Sequence, residues 1–142
     1  MKEDINALDE IHKGACMGVN AIDFVLDKVE DDEFKRKLQQ QYNNYKKIAK
    51  DIEDIYPKYN DGNPHEVGSM TKAMTWSHIE MKTFNDHSNS KIAELLLQGV
   101  NMGIIEGRRI LNKKNLNDEV SKLVSKYVTM QETDVEDLKN YL

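Results

Sequence analysis

The fold of this chain is decided by a stretch with a glycine at every fourth position, Gly99-Val100-Asn101-Met102-Gly103-Ile104-Ile105-Glu106-Gly107. Gly14 and Gly18 repeat that spacing in another segment with helical periodicity. Each glycine inside a helix costs about 1 kcal/mol relative to alanine, and the spacing places each set on one helical face. These glycines therefore indicate either close approach of two helices or room for a ligand.

Length and composition indicate one helical domain spanning residues 1–142. A chain of this size buries roughly 68–70% of its unfolded surface, so it needs no disulfide or metal for stability. The net charge of −5 argues against nucleic acid or an anionic membrane as partner, and the lack of a long apolar run argues against a membrane span. The single cysteine, Cys16, and an N-terminus unlike a signal peptide predict a cytoplasmic protein.

Apolar residues recur at spacings of three and four in five segments, which predicts five helices. Their ranges are about 4–29, 32–56, 69–84, 90–111 and 117–141. Short turns join the first helix to the second and the fourth to the fifth, so each pair predicts an antiparallel hairpin. The short helix 69–84 falls in the connection between the hairpins. This pattern predicts an all-α, ferritin-like four-helix bundle with a short extra helix in its crossover connection.

Metal ligands of the ferritin-like type are absent from the sequence. Such a di-metal site needs carboxylates on all four core helices and Glu-x-x-His on two of them, and no Glu-x-x-His occurs. Only His12 lies on a predicted core helix, four residues before Cys16. A partly buried structural pair is the favoured interpretation, because free cysteine often behaves as a small hydrophobe. We therefore predict no metal, no cofactor and no catalytic residues.

Five polar residues fall on predicted core stripes: Gln41, Tyr45, Glu106, Tyr127 and Gln131. A buried carboxylate such as Glu106 would need hydrogen-bond partners or become protonated. The favoured interpretation is a hydrogen-bonded layer that fixes helix register, and the alternative is a ligand or proton-handling site. The acidic residues near the C-terminus (Glu132, Asp134, Glu136 and Asp137) are interpreted as a solvated face.

Trp76 and Ile79 share one face of the predicted short helix. If exposed together, they would form a small apolar patch for a dimer or a protein partner. The alternative is that this face packs against the helix at 90–111.

The overall layout is also similar to that of a known family. The features that carry the similarity are Leu8-Asp9-Glu10-Ile11 through Lys35, Gly68-Ser69-Met70, Trp76, the run from Ile92 through Gly99 to Ile110-Leu111, and Asn115-Leu116 followed by Asp118-Glu119-Val120. On these features the chain resembles an uncharacterised bacterial family of ferritin-like four-helix bundles, one of the domain-of-unknown-function families. The resemblance covers nearly the whole chain and implies this fold.

The same resemblance implies acidic residues after the mid-helix glycines of the first and fourth predicted helices. Those positions read Gly18-Val19-Asn20 and Gly99-Val100-Asn101 here. This repetition reflects either one change made twice or an old hairpin repeat. The position implied for a histidine holds Val135, and two implied acidic positions hold Gln39 and Asn44. The resemblance therefore argues against metal chemistry.

Together these features predict a metal-free, non-catalytic structural or protein-interaction module that acts as a homo-oligomer or with a protein partner. One alternative is a metal-binding or di-metal oxidase-type bundle with an atypical site using His12, Cys16 or Glu106. Another is a binder of small apolar ligands in a cavity beside Gly99 and Gly103, lined by Met17 and Met102.

Overall fold

The computed structural model describes residues 2–64, 85–113 and 115–142. In these ranges the chain forms four long helices, one 3-10 turn and no β-strand. The elements are α1 (Lys2–Leu26), α2 (Asp32–Ile55), the 3-10 turn (Tyr56–Lys58), α3 (Asn89–Leu111) and α4 (Asp118–Lys139). The all-helical prediction is confirmed for these residues. The predicted helix at 69–84, with Trp76 and Ile79, lies outside the described residues.

Local side chains fix where three of the helices begin. The Asp31 carboxylate accepts a hydrogen bond from the first turn of α2, and Ser88 does the same for α3. The Asn117 side chain accepts from the backbone N–H of Glu119 at 3.0 Å, which confirms it as the N-cap of α4. These caps satisfy backbone donors that a helix start leaves without partners.

Helices α2 and α4 run antiparallel along their whole length. Side-chain contacts join them at successive levels: Glu33 with Tyr141 (3.3 Å), Lys37 with Asp137 (3.8 Å), Tyr45 with Gln131 (3.3 Å), Asp51 with Lys126 (3.4 Å) and Lys58 with Glu119 (3.0 Å). Residue numbers rise along α2 as they fall along α4. The register of this pair is therefore defined from end to end.

Helix α1 runs parallel to α4. The backbone N–H of Asn117 donates to the Asp4 carboxylate at 2.7 Å, and Gly14 lies against the Tyr127 hydroxyl. Since α3 pairs antiparallel with α4 in a hairpin, α2 and α3 point in the same direction. The C-terminal end of α2 and the N-terminal end of α3 therefore lie at opposite ends of the bundle, as expected for two hairpins joined by a crossover.

An apolar core lies between the four helices, and the predicted stripes supply most of it. Its fully buried members include Leu8, Ile11, Val25, Phe34, Leu38, Ile48, Ile52, Ile92 and Leu138. Along the middle of α3, however, Gly99, Met102 and Ile105 are exposed. The side of α3 that faces α1 and α4 is therefore buried, whereas these three residues lie exposed on its outer face.

Candidate functional site: an interior polar cluster

Five buried polar side chains lie in the interior on α2 and α4, and we refer to them as the interior polar cluster. Its members are Gln41 and Tyr45 of α2 with Tyr127, Gln131 and Asp134 of α4. Each has an exposed fraction of 3% or less. Four of them are the interior residues expected from the sequence.

Glu106, the fifth expected member, is exposed instead of interior. It pairs with Arg109 on the surface of α3 at 3.3 Å. The neighbouring residue, Gly107, is the one that faces α4. One residue turns a helix by about 100°, so a one-step error in phase placed Glu106 on the wrong side.

Asp134 was the member missed, because it was assigned with the surrounding acidic residues to a solvated face. Its exposed fraction is 3%. The signal was present in the sequence: Asp134 follows Tyr127 and Gln131 at seven and three positions, which places the three side chains on one face.

A hydrogen bond and a ring contact join the two helices at the cluster. The Tyr45 hydroxyl donates to Gln131 Oε1 at 3.3 Å. The rings of Tyr45 and Tyr127 meet edge to face, with centroids 6.5 Å apart and planes at 63°. Both contacts depend on the register of α2 against α4, so the cluster is well placed to fix it.

Three of the mid-helix glycines make room for members of this cluster. A Cβ atom built at any of the three would overlap a cluster side chain, and at Gly18 it would lie 2.8 Å from ring atoms. The pairs are Gly14 with the Tyr127 hydroxyl, Gly18 with the Tyr45 ring and Gly103 with the Gln131 amide. These three glycines therefore provide the space that side chains of the interior polar cluster occupy.

The other two glycines behave differently from each other. Gly107 lies against a methyl group of Val128, whereas a Cβ at Gly99 would meet no atom within 4 Å across residues 2–64, 85–113 and 115–142. Met102 is 68% exposed, so it does not line an interior cavity as the ligand-binding alternative required. Met17 is half-buried. The space beside Gly103 is taken by Gln131.

Burial changes the acid–base properties of the cluster. Burial, with a smaller effect of the nearby Asp137 charge, raises the pKa of Asp134 from 3.8 to about 7. Burial also raises the pKa of Tyr45 well above its ordinary value, and Tyr127 and Asp134 add to this effect. The charge on Asp137 is itself faced by Lys37 of α2. Asp134 is therefore the group of the cluster that can exchange a proton near neutral pH.

Three buried atoms of the cluster lack a hydrogen-bond partner within the part of the chain that the structure describes. They are Gln41 Nε2, Gln131 Nε2 and Asp134 Oδ2. Burial raises the pKa of Tyr127, and the nearby Gln131 side chain lowers it by a smaller amount. Gln131 Nε2 nevertheless forms no hydrogen bond of standard geometry with the Tyr127 hydroxyl. Buried polar atoms in proteins nearly always have partners, so these three require an explanation.

His12 and Cys16 are in contact on α1, as their spacing predicts. Cys16 Sγ lies 3.8 Å from Nδ1 and 3.9 Å from Nε2 of a buried His12. The other contact of this imidazole is with Glu53 of α2, whose carboxylate lies 3.6 Å from Nε2. Over residues 2–64, 85–113 and 115–142, no three His, Cys, Asp or Glu side chains are grouped so as to hold a metal ion.

An open groove of about 580 Å³ runs between α2 and α4 near the 3-10 turn. Its charged lining includes three carboxylates, and each already pairs with a lysine: Asp51 with Lys47, Asp54 with Lys50 and Glu119 with Lys58. The lining also contains Lys122 and Lys126, and Lys126 lies 3.4 Å from Asp51. The three carboxylates of the groove are therefore already engaged in ion pairs.

Comparisons of the chain with models of protein families, with curated proteins and with solved structures find no match. Within the described part of the chain, none of the helices has the length and apolar character needed to cross a bilayer.

Proposed function

We propose that this protein is a ferritin-like four-helix bundle without a metal centre that acts in the cytoplasm as a structural or protein-interaction module. In this proposal it is not an enzyme, and its working surface is the outer face of α3. The similarity to an uncharacterised bacterial family of such bundles stays part of the proposal.

The order of helix directions supports the ferritin-like assignment. Two antiparallel hairpins joined by a long connection between parallel helices are the arrangement of ferritin-like folds. The centre of this bundle holds amide and phenol groups where a di-metal site would need several carboxylates. Asp134 is the single carboxylate of the interior polar cluster.

The observation that carries the interaction proposal is an apolar patch on the outer face of α3. Met102 is 68% exposed and Ile105 is 50% exposed, and Gly99 beside them is also exposed. Neighbouring apolar side chains exposed in this way are characteristic of protein contacts when they form a continuous patch. Gly99 adds a place where a second helix backbone can approach closely.

Charge placement favours a second copy of this chain as the partner. Glu94 lies toward the start of α3, and Arg109 lies toward its end, on the two sides of the patch. A copy packed antiparallel about its own Asn101–Met102 would place Glu94 of each copy near Arg109 of the other. Glu94 pairs with Lys91 at 2.8 Å and Arg109 pairs with Glu106 at 3.3 Å. These exposed pairs are weak enough to exchange partners.

Analytical ultracentrifugation tests this proposal. We expect the wild type to sediment as a dimer of the 16.4 kDa chain and Met102→Glu to sediment as a monomer. Asn44→Glu adds the same charge to an exposed position of α2 and should leave the dimer intact. Arg109→Glu should weaken the dimer, and adding Glu94→Arg to it should restore association. A monomeric wild type, or equal dissociation by the Asn44→Glu control, would contradict self-association through α3.

Metal analysis tests the other part of the proposal. After expression in medium supplemented with iron and manganese, we expect far less than one metal ion per chain. Aerobic Fe(II) oxidation should not exceed that of buffer. About two metal ions per chain with turnover would instead support the oxidase-type alternative, and His12→Ala and Cys16→Ala would then be the first variants to examine.

A further inference from the structure

We propose that Gln41, Gln131 and Asp134 together form a binding site for one buried water molecule between α2 and α4. The site lies inside the protein and is independent of the surface patch on α3. Its ligand is a small neutral molecule that can both donate and accept hydrogen bonds.

The first argument is the coincidence of three unsatisfied atoms. The side chains that carry them have exposed fractions of 3%, 1% and 3% for Gln41, Gln131 and Asp134. Isolated orphan atoms scattered through a core would each call for separate explanations. Three on the facing sides of one helix pair indicate a shared partner.

The register of α2 against α4 brings these side chains to one level. Gln41 lies between the Lys37–Asp137 contact and the Tyr45–Gln131 hydrogen bond. In an antiparallel pair this places Gln41 opposite the turn that carries Asp134. Gln131 precedes Asp134 by three residues, so both project from the same face of α4.

Hydrogen-bond chemistry then selects the ligand. The Tyr45 hydroxyl donates to Gln131 Oε1, which assigns the other end of that amide, Nε2, as the free donor. The site therefore offers two amide donors and one carboxyl oxygen. A metal or alkali cation would face two N–H groups, and an anion would face the Asp134 carboxyl. Water accepts from both amides and donates to the carboxylate.

Water also suits both protonation states of Asp134. When the carboxyl is ionised, water donates to Oδ2, and when it is neutral, water rotates and accepts from it. The charged and titratable groups around this carboxyl are Tyr45 of α2 and Asp137 of α4, with Lys37 of α2 facing Asp137. The nearby group that competes for Gln131 Nε2 is the Tyr127 hydroxyl, and the test below distinguishes that arrangement from a bound water.

Gly103 keeps one wall of the site in position. A Cβ there would overlap Oε1 and Cδ of Gln131. Any larger residue would displace the amide and carry Nε2 with it. The glycine on α3 is therefore a positioning residue for a site formed by two other helices.

High-resolution crystal structures at pH 5 and pH 8 test the proposal. We expect a spherical density peak within hydrogen-bond distance of Gln41 Nε2, Gln131 Nε2 and Asp134 Oδ2 at both pH values. The Gln131→Met variant keeps the length of the side chain without its amide and should lose the peak. Three results would overturn the proposal: a direct Gln41–Asp134 hydrogen bond, a Gln131 Nε2–Tyr127 hydroxyl bond with no solvent peak, or an anomalous signal from a cation.

A solution measurement keeps the test independent of crystals and of the folding of the variant. In the wild type, the side-chain amide protons of Gln41 and Gln131 should show water cross-peaks of opposite sign in NOE and ROE spectra, as a long-held water gives. The amide of Gln39, exposed on the surface of α2, is the matched control and should not. Equal behaviour of the buried and exposed amides would refute a bound water.

Discussion

The same three residues, glycine, valine and asparagine, occupy opposite environments at Gly18 and Gly99. Gly18 packs against the ring of Tyr45, where a Cβ would lie 2.8 Å from three ring atoms, whereas Gly99 is exposed and no atom of the described residues would contact a Cβ there. Asn20 is half-buried and Asn101 is exposed. One copy of the motif therefore belongs to the interior and the other to the outer face of α3.

This difference shows that the structural role of a glycine within a helix depends on the side chain that packs against it. Gly14, Gly18 and Gly103 each admit a polar side chain that would otherwise find no room in the core. A Cβ at Gly99 would meet no atom within 4 Å among the residues that the structure describes. The roughly 1 kcal/mol cost of this glycine to the helix is therefore offset elsewhere, and in the proposed dimer it is offset by contact with a second copy.

The largest expected effect concerns the interior polar cluster, where we expect the stability of the protein to depend on pH. The pKa of Asp134 rises from 3.8 to about 7 on folding because of burial. Its contribution to stability is therefore present below about pH 4 and is lost as the pH rises through 7. The two pKa values correspond to a loss of about 4 kcal/mol in the free energy of unfolding. Asp134→Asn should abolish this loss, as measured by urea unfolding between pH 4 and pH 8.

Asp51→Asn is the control with the opposite sign. Although burial raises the pKa of Asp51, hydrogen bonds from Lys47 and Lys126 outweigh it and lower the pKa overall. That variant should lose stability at neutral pH and approach the wild type as the pH falls. If Asp134→Asn instead followed the wild type at every pH, Asp134 would not titrate inside the protein.

The second-largest expected effect compares leucine substitutions at Gly103 and Gly99, and it would disappear if the two faces of α3 were equivalent. Gly103→Leu forces a side chain into the Gln131 amide and should cost about 3 kcal/mol, in the upper part of the usual range for overpacking. Gly99→Leu, one turn earlier on the same helix, projects into open space and should not destabilise the chain. Thermal unfolding of the two variants measures the difference. Equal tolerance of both would indicate a cavity beside Gly103, as the ligand-binding alternative requires.

The smallest expected effect uses the least invasive substitution at the two copies of the motif. Gly99→Ala should stabilise the isolated chain by about 0.5–1 kcal/mol, because alanine favours the helix and meets no neighbour. Gly18→Ala should instead destabilise it by about 1 kcal/mol, because the buried Tyr45 ring must shift. Chemical denaturation at low protein concentration keeps association from contributing. A gain from both substitutions would mean that the Tyr45 ring moves freely.

The positions of the four described helices and most of the core between them followed from sequence periodicity, because apolar spacing indicates which face of a helix is buried. The same reasoning placed Tyr45, Tyr127 and Gln131 in the interior, since they continue apolar stripes. It was wrong at Glu106, where one residue of phase decides between core and solvent. It also missed Asp134, because the acidic neighbours of this residue favour a solvated face, although its spacing from Tyr127 and Gln131 places it on the buried one.

The partners of the glycines could not be predicted from the sequence. Nothing near Gly18 or Gly99 distinguishes a position opposite a tyrosine from a position opposite solvent. That distinction depends on how the two hairpins dock and on the register of α2 against α4. Long-range geometry therefore decided the part of the site that local pattern left open.

The hydrogen bond from the Asn117 N–H to Asp4 joins residues 113 positions apart in the chain. Each hairpin can form from local contacts, but this bond needs α1 and α4 side by side, so it forms only once the two halves have docked. The Asn117 amide therefore acts as a reporter of assembly. Its hydrogen exchange follows the separation of the hairpins rather than the fraying of either one.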